Sequence, residues 1–320
     1  MFRASKKTFN SSSARAAAAA TLLSALLLPG PSFSLAPQDK DKKKPEPAGQ
    51  VRKDEGKVPT EKELEKDKKS QEKARGAEVK LSPVETVVEL AIIAYGGRRQ
   101  LETVRAAIQE EGTIRLATEQ GDLTGDFVLR SLRREKTWLD LLRVDLNLSP
   151  PGSDSRQGGV KYSIGYNGAT VWSAQNNQYV NPKPEAEAAF RAQLTREYMA
   201  LLRYKEDGSK IELVGPETVV GVDTNVIDLT NSNGEKTRYW VSTKTYRILH
   251  SEYELKLAEG QAPTKYRISY FYTPFRVVQN TLVPIRRVMT QDGKFVQEVN
   301  LNNIIYSAKI DPEVFQHLQE

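Results

Sequence analysis

The chain has 320 residues, 47 Lys/Arg against 41 Asp/Glu, 38% hydrophobic residues and no cysteine. The absence of cysteine excludes a disulfide scaffold, a thiol nucleophile and lipid attachment to a mature N-terminal cysteine. The net charge of +6 argues little for nucleic acid, because residues 1–36 hold 4 Lys/Arg and no Asp/Glu and residues 37–80 hold 14 and 11, which leaves 29 against 30 in residues 81–320.

Met1 to Arg15 carries Arg3, Lys6, Lys7 and Arg15 without an acidic residue, and Ala16 to Leu28 is a short apolar run. Pro29-Gly30-Pro31 breaks that run, and small residues follow at Ser32 and Ser34. This layout predicts a secretory signal peptide over residues 1–34, cleaved after Ser34, and a periplasmic protein beginning near Leu35. The run is too short to span a bilayer comfortably, which takes about 20 apolar residues. Residues 35–80 read as a disordered charged tether, since apolar residues there are almost confined to Val51, Val58, Leu64 and Val79. The folded domain is expected at 81–320.

Ser82-Pro83-Val84-Glu85 predicts a capped helix start, followed by Val87, Leu90, Ala91, Ala94 and Tyr95 on one face, with Gly96-Gly97 as the stop. A second short helix from Arg98 would align Leu101, Val104 and Ile108. From Glu111 the hydrophobic period changes to two. Thr113–Thr118 and Leu123–Leu132 pair across Glu119 to Asp122, with Leu123, Gly125, Phe127 and Leu129 facing one way. Arg130, Arg133 and Arg134 form a basic cluster read as a solvated strand end. Lys136–Asn147 is expected as a strand with Trp138, Leu142, Val144 and Leu146 on one side, and Pro150–Gly159 as a loop. Val160–Tyr166 and Ala169–Ser173 flank Asn167-Gly168, a strong hairpin signal. Thr195–Tyr204 returns to helical spacing, with Tyr198, Leu201 and Leu202 buried. Ile211–Val214, Val219–Leu229, Arg238–Val241, Tyr246–Leu257, Thr264–Tyr272, Thr281–Met289 and Lys294–Tyr306 complete an antiparallel meander, with turns at Asn233-Gly234 and Asp292-Gly293. The fold class expected is α+β, mostly β: one strongly curved antiparallel sheet, an unclosed barrel, lidded by two or three helices.

No catalytic or metal-binding constellation stands out, and no cofactor is called for. The imidazoles are His250 and His317, neither beside a second metal-type ligand. Glu110-Glu111 and Glu252/Glu254 are acidic pairs, the second on the same expected solvated face as His250. The apolar faces carry more information. Trp138, Trp172, Tyr266, Tyr270 and Tyr272 sit on strands whose concave side exceeds what two short helices can fill, which suits an apolar ligand.

Ala91-x-x-Ala94-Tyr95-Gly96-Gly97 with Leu101 and Val104, Gly112, Tyr166-Asn167-Gly168 with Trp172, and Leu213-Val214-Gly215 with Val219-Val220-Gly221 resemble the outer-membrane lipoprotein carrier (LolA/LolB-like) superfamily. Tyr239-Trp240-Val241 with Thr245-Tyr246, and Val299-Asn300 through Ile310-Asp311 to Phe315, extend the resemblance over about residues 84–317. The long charged tether and the added Ser149–Gly159 loop depart from that family. The resemblance implies an open barrel with a helical lid and an acyl-chain cavity. The reading is a non-enzymatic carrier that shields an acyl chain or lipoprotein lipid anchor. Its expected lining is Phe127, Leu129, Trp138, Trp172, Tyr266, Ile268 and Tyr270. A monomer is expected, with an envelope protein partner and transient membrane-surface contact as further contacts and no nucleic acid. The competing reading is an envelope interaction module that uses the sheet surface, its interior packed solid by Leu90, Ala94, Tyr198 and Leu201.

Overall fold

The computed structural model describes residues 81–152, 159–256, 262–271 and 274–316. The expected signal peptide and tether, most of the 150–159 loop, Leu257, Tyr272 and His317 lie outside the described residues.

The first helix, α1 (Pro83–Ala94), starts as its sequence predicts. The Ser82 backbone N–H donates to Glu85 Oε2 at 2.9 Å, and the Glu85 N–H returns to Ser82 Oγ at 3.4 Å. Gly96 stops it at φ +118°, where a Cβ would stand 2.5 Å from the Asn280 carbonyl oxygen, so only glycine fits. The buried stripe is Val88, Ala91, Ile92 and Tyr95, rotated from the expected Val87, Leu90 and Ala94, which are only partly buried. Spacings of three and four are equally satisfied by both stripes, so periodicity could not choose between them. The next helix, α2 (Arg98–Thr103), ends earlier than expected. A 3₁₀ turn at Val104–Ala106 follows, and Ile108 belongs to a strand.

Six strands then run outward as a meander: β1 (Ala107–Thr118), β2 (Gly121–Leu132), β3 (Leu141–Ser149), β4 (Val160–Tyr166), β5 (Val171–Gln175) and β6 (Gln178–Val180). The Asn167 side chain closes the β4–β5 turn by accepting from the N–H groups of Ala169 and Thr170 at 3.0 and 2.9 Å. Three helices cross to the far edge: α3 (Pro184–Arg196), α4 (Tyr198–Leu202) and α5 (Tyr204–Asp207). The chain returns inward through β7 (Lys210–Val219), β8 (Val222–Thr230), β9 (Lys236–Ser242), β10 (Ile248–Leu255), β11 (Thr264–Ser269), β14 (Arg286–Gln291) and β15 (Lys294–Tyr306). A separate ribbon of β12 (Arg276–Val278) and β13 (Thr281–Val283) interrupts the return.

The strand order is β6-β5-β4-β3-β2-β1-β15-β14-β11-β10-β9-β8-β7, antiparallel at every pairing. The first and last strands of the domain therefore meet in the middle, and β6 and β7 are the edges of a sheet that does not close. Mostly β with one open antiparallel sheet is the expected class. The helical complement is larger than expected, because most of α3 falls in a stretch, residues 174–194, over which the sequence predicts no element. The strand expected over Val219–Leu229 starts only at Val222, because the preceding strand runs on to Val219 and the chain turns at Val220-Gly221, where Val220 has φ +49°.

Two side-chain networks shape regions that the alternation pattern misassigned. Asp207 of α5 accepts from the Thr137 N–H at 2.9 Å and the Thr137 hydroxyl at 2.6 Å. Residues 137–139 are held there as a 3₁₀ turn, so the expected strand begins only at Leu141. Arg133 bonds Glu206 at 2.5 Å and Arg130 bonds Asp145 at 2.8 Å, so the basic cluster is paired rather than merely solvated. Among the described residues no helix is long and apolar enough to cross a membrane.

Candidate functional site: an apolar slot under helix α3

The inner face of the sheet divides into two regions. Under α1 and α4 it is filled. Tyr95, Tyr198, Leu201 and Leu202 pack on Ile227, Tyr239, Ile248, Tyr266, Ile268 and Tyr270, all at most 2% exposed. Tyr95 stacks on Tyr198 at 5.5 Å, and Tyr198 meets Tyr270 edge-on at 5.5 Å. Under α3 the face is not filled, and a cavity opens between helix and sheet.

That cavity admits the centre of a water-sized sphere over about 110 Å³ and opens to solvent at its mouth. Its wall is Ile114, Leu116 and Ala117 on β1, Phe127 and Leu129 on β2, Val144 and Leu146 on β3, and Tyr162 and Ile164 on β4. The other side is Ile268 on β11, Arg287 and Met289 on β14, and Val296, Gln297 and Val299 on β15. Ala186, Phe190, Gln193 and Glu197 close it from α3 and the residue that follows it. β4 and β11 stand six pairings apart, about 29 Å across a flat sheet at ~4.8 Å per strand. A helix about 10 Å wide bridges that distance only because the sheet curls around it.

Local sequence explains the narrow places. Phe127 lies directly across from Gly112 on β1, where a Cβ would approach the ring to 3.0 Å and the Asn300 carbonyl oxygen to 2.0 Å. Glycine thus lets the phenyl ring lie flat against the sheet. Phe190 is buried against Leu142, Tyr166 and Val171, which fixes α3 over β3–β5.

The polar groups of the slot form one cluster. Arg287 donates to Glu110 and, at 3.3 Å, to Glu197, while Gln193 Nε2 donates to Glu197 Oε1 at 3.2 Å. Burial opposes the Arg287 charge, but the two carboxylates outweigh it and keep the guanidinium protonated. Behind it, Arg105 donates to the Tyr198 hydroxyl at 2.6 Å and lies over the Tyr198 and Tyr306 rings at 5.5 and 5.3 Å. Burial pushes the Tyr198 hydroxyl up to about 12, so it stays a neutral hydrogen-bonding group. Arg287 Nε and Arg105 Nε and Nη1 are buried without a partner. The cluster stands where the filled and unfilled regions meet.

Three of the seven residues expected in the lining are in it: Phe127, Leu129 and Ile268. Four lie elsewhere. Trp138 is on the 3₁₀ turn, half-buried beneath Lys136. Trp172 covers Gly165 and donates to the Phe315 carbonyl at 2.7 Å, which ties down the C-terminal segment. Tyr266 stacks on Tyr253 at 5.5 Å, and Tyr270 bonds Ser251 at 3.0 Å; both belong to the filled core. The acidic pairs do not act together either. Glu110 is buried on Arg287, whereas Glu111 bonds Gln109 and Asn303. His250 is not on a solvated face: it is 6% exposed, bonded to Ser269 and edge-on to Trp240 and Phe271.

Sequence reading missed α3 and the ionic cluster. The helix carried usable signals: Pro184 at its first turn, Glu185 and Glu187 next, Arg196 in its last turn, and Ala186, Ala189, Phe190 and Gln193 at helical spacing.

The site is thus an apolar slot between an open, curled antiparallel sheet and a helix laid across it. Solved structures similar to the chain include a LolA superfamily protein from Nitrosomonas europaea, at 14% identity, TM-score 0.48, covering 74% of this chain and 98% of that one. A DUF1329 family protein from Desulfovibrio piger matches at 15% identity and TM-score 0.48, with the same coverages. A putative outer membrane lipoprotein-sorting protein domain from Vibrio parahaemolyticus matches at 13% identity and TM-score 0.47, covering 72% of this chain and 97% of that one. No protein-family model and no curated sequence matches the chain.

Proposed function

We propose that the protein is a non-enzymatic carrier that holds an acyl chain in the slot between α3 and strands β1–β4, β14 and β15. The observation that carries this reading is the unfilled half of the inner face. Ile114, Leu116, Phe127, Leu129, Val144 and Leu146 pack side by side as a continuous apolar wall that lines the slot. Each methylene buried there contributes about 0.8 kcal/mol before ordering costs, so one acyl chain gives binding that is useful and reversible. The expected signal peptide supports work outside the cytoplasm, with lipid anchors of envelope lipoproteins as one source of such chains. A packed interior, required by the surface-only alternative, is present under α1 and α4 but not under α3.

The test is titration with an uncharged fluorescent twelve-carbon acyl probe. Saturable emission is expected from the native protein, and Phe190→Glu or Leu129→Glu should weaken it at least about tenfold, or 1.4 kcal/mol. Far-ultraviolet circular dichroism checks that each variant keeps its strands. Folded variants that bind like the native protein would remove the slot as the site.

A further inference from the structure

We infer that the slot selects uncharged acyl derivatives, esters or amides, over free fatty acids. This rests on the proposed function and specifies the chemistry of the same site. Arg287 is the cation on the slot wall, and its terminal nitrogens are both engaged, one by Glu110 and one by Glu197. Arg105 behind it faces the Tyr198 hydroxyl and the Tyr198 and Tyr306 rings. The two guanidinium groups are therefore matched by two carboxylates, and Glu197 itself lines the slot. A fatty-acid carboxylate entering here would be desolvated beside Glu197, with both terminal nitrogens of Arg287 already held by carboxylates.

A neutral carbonyl meets a different situation. Arg287 Nε is buried and has no acceptor, and a guanidinium N–H is strongest toward an oxygen it can reach in a dry site. An ester or amide carbonyl supplies that oxygen without adding charge. Gln193, held by Glu197, adds a neutral amide from α3 on the same wall. The slot thus offers hydrogen bonds to a neutral head and repulsion to an anionic one. Selectivity comes as much from Glu197 as from Arg287.

The experiment is competition for the bound fluorescent probe, by 1-monolauroylglycerol and by laurate at pH 8, below the aggregation limit of each. The native protein should take the glyceride at least about tenfold more tightly than laurate. Glu197→Gln is nearly isosteric and leaves Arg287 with one carboxylate, so its laurate affinity should rise and the ratio should fall toward one. Equal displacement by both lipids in the native protein, or a ratio unchanged in Glu197→Gln, would overturn the selectivity while leaving the slot in place. Failure of the probe itself to bind saturably would instead remove the carrier reading, and the selectivity with it.

Discussion

The two halves of the inner face are made of the same kinds of strand and are used in opposite ways. Under α1 and α4, aromatic residues from both layers interlock: Tyr95 on Tyr198, Tyr198 on Tyr270, Tyr253 on Tyr266. Under α3, the strands offer mainly aliphatic residues, while the helix returns alanines at 186 and 189, with Phe190 and the partly buried Leu194 as its larger apolar residues on the cluster there. Small residues on one layer facing mid-sized ones on the other leave space. The contrast teaches that burial of apolar strand faces does not locate a site; the residues of the opposing layer do. Between the halves lies the Arg105–Glu110–Glu197–Arg287 cluster, which costs desolvation and would be a poor way to fill a core.

Removing an interlocked ring should have the largest effect. Tyr95 is fully buried, stacks on Tyr198, meets Phe275 edge-on at 6.3 Å, and its hydroxyl accepts from the Ile248 N–H at 3.3 Å. Tyr95→Ala should cost about 3–5 kcal/mol in urea unfolding, as large-to-small core changes do. Phe190→Ala should cost visibly less, because one side of that ring already borders open space. Equal losses at the two positions would mean that the slot is as tightly packed as the core.

Overpacking probes the same contrast from the other side, with a smaller effect. Ala91 is 0% exposed among Tyr95, Leu201 and the strands beneath, and Ala91→Leu should cost about 1–3 kcal/mol. Ala117 lines the slot, so Ala117→Leu has room; its stability should change by less than about 0.5 kcal/mol while the acyl probe is weakened. A destabilisation at Ala117 matching that at Ala91 would erase the distinction.

How much of this was legible in the sequence follows from the range of the interactions. The capped start at Ser82 and the turns at Asn167-Gly168, Asn233-Gly234 and Asp292-Gly293 are local, and each was readable. The Val220-Gly221 turn was not, since a β-branched residue at φ +49° runs against local preference. Phe127 and Leu129 were placed because strand alternation fixes which residues share a face. It does not say what lies opposite, so Tyr266 and Tyr270 looked like lining and are core. The ionic cluster joins Arg287 to partners 90 and 177 residues away, beyond the reach of any local pattern.

A last expected effect concerns acid, on the outer side of the filled half. His250 is wedged between Trp240 and Phe271 with its ring bonded to the Ser269 hydroxyl. Burial first, and the Arg267 charge second, lower its pKa to about 4 from an ordinary 6.5. The folded state therefore resists the proton that the unfolded state accepts. The unfolded chain binds more protons between pH 6.5 and 4, so the stability that neutral His250 contributes is complete above about 6.5 and is lost as pH falls toward 4. His250→Gln keeps a polar group near Ser269 without a titrating one, and carboxylates elsewhere titrate alike in both proteins. The native protein should thus lose more stability than His250→Gln across that window, by about 1–3 kcal/mol in urea midpoints converted at each pH. Parallel curves would show that the imidazole is hydrated in solution, and that the aromatic packing of this half does not extend through the sheet to its outer face.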